Sequence, residues 1–176
     1  MFDLQPTLQN EFVKLVPLKE GDFEVLYKVA SDPLIWEQHP NKNRWKREVF
    51  QNFFNGAIES KGAFLIYDSK TNEVIGSTRF YDFNKEKKCV TIGYTFYARK
   101  CWGGKYNPSA KHLMMEHAFK TVDSVIFHIG ADNIRSQKAI ERLGAKKIGE
   151  EEMAYYGEDT KLNFVYQIVK ENWKKD

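Results

Sequence analysis

The stretch from Ile92 to Val122 restricts the fold of this 176-residue chain more than any other part of the sequence. It reads IGYTFYARKCWGGKYNPSAKHLMMEHAFKTV, so β-branched and aromatic residues give way to two adjacent glycines and then to apolar residues at helical spacing. Asn107 and Pro108 are typical of an N-cap and of the first residue of a helix. The segment therefore predicts a strand, a tight loop and a helix over 108–122, which is the order found in α/β domains.

The loop between this strand and this helix has the composition of an anion site. Gly103 and Gly104 allow a ligand to approach the backbone closely, and Lys105 adds a cation. The free N–H groups and the dipole at the start of a helix favour a phosphate there. Tyr106 replaces the Ser or Thr of a Walker loop, and the third glycine of a dinucleotide fingerprint is missing. A glycine-rich turn that only reverses the chain explains these residues equally well.

Hydrophobic periodicity predicts the elements of the remaining chain. Strands are expected at 12–17, 63–67, 74–83, 89–97, 124–129, 146–153 and 162–169, with further helices at 22–31, 46–60 and 134–143. The second and third strands should form a hairpin. This order predicts a single domain over residues 1–176 of the α/β (α+β) class, with a mixed sheet and flanking helices.

The segment from Asp132 to Gly149, DNIRSQKAIERLGAKKIG, predicts a second functional helix start. Asn133 is a suitable N-cap with Ser136 at the third helical position, and Gly144 is a suitable left-handed C-cap. An exposed Asn133 at the end of a strand would also offer its amide to an amide-bearing ligand. Taken alone, however, Asn133 is better explained as a cap.

Composition limits the classes of protein that remain. With 42% hydrophobic and 29% charged residues, the chain has the make-up of a globular protein, and its net charge is only +3. Its two cysteines give no disulfide framework, which favours a reducing compartment. The first residues lack the pattern of a secretory signal, and no apolar run is long enough for a membrane span. We therefore expect a cytoplasmic protein without a membrane partner.

Taken together, these segments resemble a known family. The strand with IGY, the WGG loop before a helix, the N-x-x-S helix start and LGA-x-x-x-G resemble the acetyl-coenzyme A core of the GNAT superfamily of N-acetyltransferases. The branch of ribosomal-protein N-terminal (alanine/serine) acetyltransferases is most similar, and the closing VYQIVKENW matches its usual end. The resemblance implies a mixed, mostly antiparallel sheet of about seven strands. Strands 89–97 and 124–129 would splay apart to admit pantetheine, with the pyrophosphate on the glycine loop.

The resemblance also implies which residues form the site. The expected binding residues for acetyl-coenzyme A are Phe96, Tyr97, Trp102, Gly103, Gly104, Lys105, Tyr106, Asn107, Asn133 and Ser136. The expected acceptor cleft is lined by Trp36, His39, Tyr81 and Tyr94, although aromatic residues on strands more often belong to a core. No metal is expected.

The catalytic groups match the family less well. The position that often carries a carboxylate base is Thr91, and the position of the usual tyrosine acid is Ile140. Ser136 is the only matched hydroxyl group that could protonate the leaving thiolate, and it could equally be a capping residue. Lys105 and Asn107 stand where the family usually has small loop residues, so the loop conformation need not be the common one.

These observations predict transfer of an acetyl group from acetyl-coenzyme A to a primary amine, either a small molecule or a protein N-terminus. A non-catalytic module that binds coenzyme A or an acyl-coenzyme A is the alternative, because the usual acid and base are missing. A basic surface also raises the possibility of docking on a ribosome or RNA, but without aromatic interleaving or an RNA motif a nucleic-acid partner is not favoured. The residues of this surface are Lys85, Lys87, Lys88, Arg99, Lys100 and Lys105. The chain could be a monomer or a homodimer.

Overall fold

A computed structural model describes residues 1–155 and 157–173. Its helices are α1 (Phe23–Ala30), α2 (Arg47–Ser60), α3 (Tyr106–Ala118) and α4 (Ile134–Arg142). Its strands are β1 (Leu8–Gln9), β2 (Val13–Pro17), β3 (Ala63–Asp68), β4 (Val74–Asn84), β5 (Cys89–Tyr97), β6 (Ser124–Gly130), β7 (Lys146–Ala154) and β8 (Thr160–Val169). Within these described ranges, no helix combines the length and the apolar character that crossing a bilayer requires.

All eight strands form one sheet in the order β1-β2-β3-β4-β5-β6-β8-β7. Neighbouring strands are antiparallel except for β5 and β6, which are parallel because α3 connects them as a crossover. The predicted α/β class and the mixed, mostly antiparallel sheet with a β3–β4 hairpin are confirmed. The sheet has one strand more than expected, because the two-residue β1 pairs with the edge of β2.

The parallel pair separates along its length. Only three residue pairs join β5 to β6, from Cys89 opposite Ser124 to Thr91 opposite Ile126. Beyond Thr91, β5 continues to Tyr97 and stays paired with β4, while β6 continues to Gly130 and pairs with β8. The predicted splay is therefore confirmed, and it opens a gap in the middle of the sheet.

The two faces of the sheet carry separate hydrophobic cores. One core packs α3 residues such as Met114 and Met115 against Phe80 and Val125. The other packs the aromatic face of α2, Phe50, Phe53 and Phe54, against Phe96 and other residues of the opposite face. The gap between β5 and β6 lies between these cores.

The start and end of α3 differ from the prediction. The helix begins at Tyr106, with Lys105 at the N-cap and no side-chain capping bond, so the expectation that Asn107 is the N-cap was wrong. Asn107 and Pro108 instead occupy the second and third helical positions. The N–H groups of the first turn have no partner within the helix, so a proline there costs no helical hydrogen bond. The helix ends at Ala118, and residues 119–122 continue as hydrogen-bonded turns rather than as helix.

Candidate active site

A cavity of about 410 Å³ occupies the gap between β5 and β6. Residues 92–97 of β5 and 127–130 of β6 form two of its walls, and the first two turns of α3 and one face of α4 also line it. The volume falls within the usual range for small-molecule sites. The splay of the parallel strands therefore produces a ligand-sized space in the sheet.

The glycine loop closes one end of this cavity. A single 3₁₀ turn, Arg99–Cys101, leads from β5 into Trp102, whose indole N–H donates to the Tyr97 carbonyl at 3.1 Å. Gly103 has a φ of +70°, a conformation that favours glycine, and both Gly103 and Gly104 would place a Cβ in open space. Because the first N–H groups of α3 have no partner within the helix, the loop offers donors to an anion.

The predicted loop residues do not all face the cavity. Trp102, Gly103, Gly104 and Asn107 line it, and the buried Asn107 Oδ1 has no hydrogen-bond partner among the described residues. An orphaned polar atom in a cavity wall is a plausible contact for a polar ligand.

Two predicted binding residues lie outside the cavity lining. The Tyr106 hydroxyl donates to Asp68 Oδ2 at 2.6 Å, a bond that raises the pKa of Tyr106 to about 12. Lys105 Nζ lies 5.0 Å from the centre of the Phe12 ring. Both side chains therefore contact residues beside the loop. Lys105, the cation that the sequence suggested for the anion site, does not line the cavity.

A different cation, Arg135 at the start of α4, lies beside the glycine loop. The Arg135 guanidinium stacks over the Trp102 ring at 3.8 Å, and Arg135 also lines the cavity. Asn133 is buried rather than exposed, and its Oδ1 accepts from the Ser136 N–H at 3.2 Å, so the predicted N-cap is confirmed. Ser136 is half-buried in the cavity wall. Asn133 and Ser136 therefore line the same cavity as the glycine loop, and their role in binding stays a prediction.

A bulge in β5 lies beside the gap. Two residue steps on β4, from Ser77 to Arg79, oppose three on β5, from Phe96 back to Gly93. Tyr94, inside the bulge, has a φ of +53°. Bulges and left-handed residues other than glycine are concentrated at functional sites, because both carry an energetic cost. The bulge changes the directions of the Tyr94 and Thr95 side chains from those in a regular strand. It lies in the part of β5 that has already separated from β6.

On the α2 face, aromatic residues line the end of the cavity that we expect to admit the acceptor, the acceptor opening. Trp36, His39, Tyr94 and Tyr155 line it, but Trp36 is only 1% exposed and also belongs to the α2-face core, so the role of these residues toward an acceptor stays a prediction. Tyr81 does not line the cavity, but its ring packs edge-on against Tyr94 at 5.2 Å. Burial raises the pKa of Tyr81 and Tyr94, so both remain neutral phenols near neutral pH. This face could contact an acceptor, but Tyr81 would act through its neighbours.

A buried ion pair holds the opening together. The Arg44 guanidinium donates to both oxygens of Glu158, at 2.5 and 2.7 Å, and the two side chains are 1% and 6% exposed. The Arg44 guanidinium also lies 5.6 Å from the centre of the Trp36 ring and 5.4 Å from that of Tyr155. The pair therefore ties the segment between α1 and α2 to the turn between β7 and β8. Sequence analysis missed it, because the partners are 114 residues apart.

Glu158→Gln should destabilise the protein strongly. The change keeps the shape of the side chain but leaves the buried Arg44 guanidinium without its counter-charge, which typically costs about 3–5 kcal/mol. Denaturant unfolding measures the loss. The exposed ion pair between Arg47 and Glu24 provides the control, and Glu24→Gln should change the free energy of unfolding far less, because solvent screens an exposed pair. Equal losses in the two variants would contradict the role given to the buried pair.

His39 is a weak candidate for a catalytic base. Its Nε2 lies 3.1 Å from Arg44 Nη1, which can only donate, so this lone pair is occupied. Burial, followed by the positive charges of Arg44 and Arg135, lowers the pKa of His39 well below its usual value. His39 therefore stays neutral and supports Arg44 rather than taking up a proton.

His128 is a better placed histidine that sequence analysis overlooked. It lies on β6, lines the cavity, and its Nδ1 is 3.4 Å from the Tyr81 hydroxyl, while its Nε2 is 3.7 Å from Glu151 Oε2. Burial lowers the pKa of His128, partly offset by Glu151 and Asp82. Strand alternation could have flagged it, because His128 points to the opposite face from the core residue Phe127.

Comparison with known proteins gives the class. The chain belongs to the acetyltransferase (GNAT) domain family, whose model matches residues 13–146. A solved candidate acetyltransferase is 25% identical, with 95% of this chain and 88% of that chain covered and a TM-score of 0.78. No curated protein sequence gave a significant match.

Two more distant solved structures share the fold. RimJ of Mycobacterium smegmatis in complex with a coenzyme A disulfide is 15% identical, with 93% of this chain and 85% of that chain covered and a TM-score of 0.72. The ribosomal-protein-S5-alanine acetyltransferase of Vibrio fischeri is also 15% identical, with 97% and 100% covered and a TM-score of 0.69. At this identity the likeness concerns the fold alone.

Proposed function

We propose that this chain transfers the acetyl group of acetyl-coenzyme A to a primary amine, and that the amine is a protein N-terminus. The gap between β5 and β6, with an anion site at one end and an aromatic opening at the other, supports this proposal most directly. The residues present fit the coenzyme, since the loop offers free backbone donors, the glycines leave space for a ligand, and Asn107 has an unused acceptor atom.

Each part of the cavity has a distinct binding role in this proposal. The N–H groups around Gly103 and Gly104 would hold the pyrophosphate, and Arg135 would add a positive charge beside it. Asn133 and Ser136 would contact the pantetheine arm from α4. The backbone of β5 near Phe96 and Tyr97 would donate to the thioester oxygen, where an oriented N–H stabilises developing negative charge.

The acceptor amine must lose a proton, and we assign its uptake to His128. With a proton on Nδ1 that is donated to the Tyr81 hydroxyl, Nε2 is free to accept. The Glu151 carboxylate, 3.7 Å from Nε2, would stabilise the imidazolium that forms. Tyr81 is then a positioning residue, which explains how it serves the site without lining the cavity.

An N-terminal amine suits the acceptor opening because of the residues that line it. Its wall of neutral aromatic side chains can pack against an unbranched peptide, while the Arg44–Glu158 pair closes one side. Small amines are the second class of acceptor.

A panel of amines tests the proposal. Peptides with a free N-terminus, the same peptides with a blocked N-terminus, amino acids, polyamines and aminoglycosides would each be incubated with acetyl-coenzyme A while free thiol is measured. We expect release of coenzyme A with free N-terminal peptides and background rates with blocked ones. Calorimetric binding of acetyl-coenzyme A without turnover of any amine would favour the non-catalytic binding module instead.

A further inference from the structure

Lys111 is a buried cation in the cavity that the proposed function does not use. It lies on α3, is 4% exposed and lines the cavity. Its Nζ donates to Thr95 Oγ1 at 2.9 Å, and Thr95 Oγ1 is in turn 2.9 Å from Thr78 Oγ1. Both threonines belong to the bulged region where β5 opposes β4. Lys111 therefore lies directly beneath the strand that forms one side of the gap.

The surroundings of Lys111 contain no counter-charge. The other ionisable side chains that line the cavity around it are Tyr94 and Tyr97 of β5, Cys101 of the following turn, His128 of β6, and Arg135 and Arg142 of α4. His39, Arg44 and Tyr155 lie toward the acceptor opening. No carboxylate lines the cavity within the described residues. A buried amine without a counter-charge strongly favours an anionic or proton-accepting partner.

The ease with which Lys111 gives up its proton follows from this burial. Desolvation lowers the pKa of Lys111 to about 7. A group whose pKa lies near the working pH can both hold a proton and donate it. Lys111 is thus suited to proton transfer, whereas the exposed lysines of the surface remain solvated cations.

Lys111 and His128 lie on opposite faces of the sheet. Lys111, Thr95 and Thr78 are on the α3 face, where Thr78 also contacts Met114. His128 contacts Tyr81, which packs on Tyr94 and through it on the α2 core. A bound thioester in the gap would meet the proton acceptor for the amine on one face and Lys111 on the other.

We propose that Lys111 is a catalytic residue that protonates the sulfur of the departing coenzyme A. This inference rests on the proposed function. The amine nitrogen forms a bond to the acetyl carbon, the bond from carbon to sulfur breaks, and its electron pair goes to sulfur. The sulfur receives a proton from the Lys111 ammonium, the nitrogen gives its proton to His128, and both groups re-equilibrate with solvent, so protons balance.

Ser136 is the alternative donor, and the two can be distinguished. A serine hydroxyl group is a much weaker acid than an ammonium group near its pKa, and a neutral serine offers no charge to a thiolate. The Lys111 ammonium group can donate a proton, and its positive charge also attracts the negative sulfur before the proton is transferred. A change at Lys111 should therefore alter the ionisation of the bound thiol, whereas a change at Ser136 should have little effect on it.

The direct test is a titration of the thiol of bound coenzyme A by its ultraviolet thiolate absorbance, with the protein bound to desulfo-coenzyme A as the blank. An opposite charge within about 4–6 Å typically shifts a pKa by 1–3 units. We expect the bound thiol to ionise at lower pH in the wild type than in Lys111→Met, by at least about one unit, because the thiolate and the Lys111 ammonium stabilise each other and titrate as a coupled pair. Lys138→Met, an exposed change on α4, is the matched control and should titrate like the wild type. Identical titrations in the wild type and Lys111→Met would overturn the proposal.

Kinetics with the amine found in the panel provide a second readout. Lys111→Met and Lys111→Arg should each lower kcat by about 10²- to 10⁴-fold, because neither side chain can donate a proton near neutral pH. The wild-type kcat should fall as the pH rises through the pKa of Lys111 in the complex, and this alkaline limb should be missing in both variants. A loss confined to KM, or a large loss in Ser136→Ala with normal Lys111→Met, would overturn the proposal. The thiol titration needs no amine, so a failed amine panel would count against the proposed function alone.

Discussion

Gly104→Val should nearly abolish the binding of acetyl-coenzyme A while the protein stays folded. A Cβ at Gly104 meets no atom of the protein within 4 Å, so the valine is accommodated in the free protein, but it occupies the space in which a phosphate would approach the loop. Each charge-assisted hydrogen bond from the loop to a phosphate would contribute about 1.5–3 kcal/mol, and we expect the variant to lose two of them. Their loss corresponds to a fall in affinity of about 10²-fold or more, since each 1.4 kcal/mol is about tenfold. Calorimetry and thermal unfolding measure affinity and stability separately.

Gly149→Val is the matched control for this experiment. Gly149 lies on β7, its added Cβ would also meet no atom within 4 Å, and it does not line the cavity. We expect it to bind acetyl-coenzyme A normally. Gly103 differs from both, because its φ of +70° means that a side chain there would strain the backbone as well. Normal binding by a folded Gly104→Val variant would show that the loop is only a turn.

His128→Gln should lower kcat by about 10²- to 10⁴-fold, the range expected when a general base is removed. The amide keeps a polar contact with Tyr81 but cannot take up a proton. A base must be neutral to act, and burial lowers the pKa of His128 below its usual 6.5. The acceptor in this experiment should be a weakly basic amine. The wild-type kcat should then stay constant as the pH is lowered through the ordinary histidine range and fall only below it. This acidic limb should be absent in the variant.

His112→Gln is the control for the change at His128. His112 lies on α3 against Trp173 and does not line the cavity, so its loss should leave kcat and the pH profile unchanged. A His128→Gln variant with normal kcat and an intact acidic limb would mean that another group or water accepts the proton. Equal losses in both variants would point to a general effect of histidine removal on the fold.

The fold was largely predictable because local patterns and the long-range arrangement agree. Periodicity placed the strands and helices to within a few residues, and the resemblance to the GNAT superfamily implied the separation of β5 from β6. The prediction for the start of α3 was wrong. It relied on the strong preferences of Asn107 for the N-cap and of Pro108 for the first helical position. The helix nevertheless begins at Tyr106, whose side chain is anchored to Asp68 on β3. A tertiary bond of this kind cannot be read from local sequence.

Residues of the cavity wall were predicted most readily where they follow one another in sequence. The loop at Trp102 to Gly104 and the pair Asn133 and Ser136 each form a continuous motif, and all of them line the cavity, while their role in binding stays a prediction. Arg44 and Lys111 were missed, because a buried cation in a helix or loop resembles a surface residue until its burial is known. That the chain is a single domain over its whole length stays a prediction.

The most direct test of the proposed reaction follows the acetyl group itself. Acetyl-coenzyme A labelled in the acetyl group would be incubated with the best amine from the panel, and the product analysed by mass spectrometry for the wild type and for Gly104→Val. We expect one labelled acetyl group on the amine nitrogen with the wild type, and at least about 10²-fold less product with Gly104→Val when acetyl-coenzyme A is kept below saturation for the variant. Labelled product formed equally by both proteins, or no acetylated amine from a wild type that binds the coenzyme, would contradict acetyl transfer at this gap.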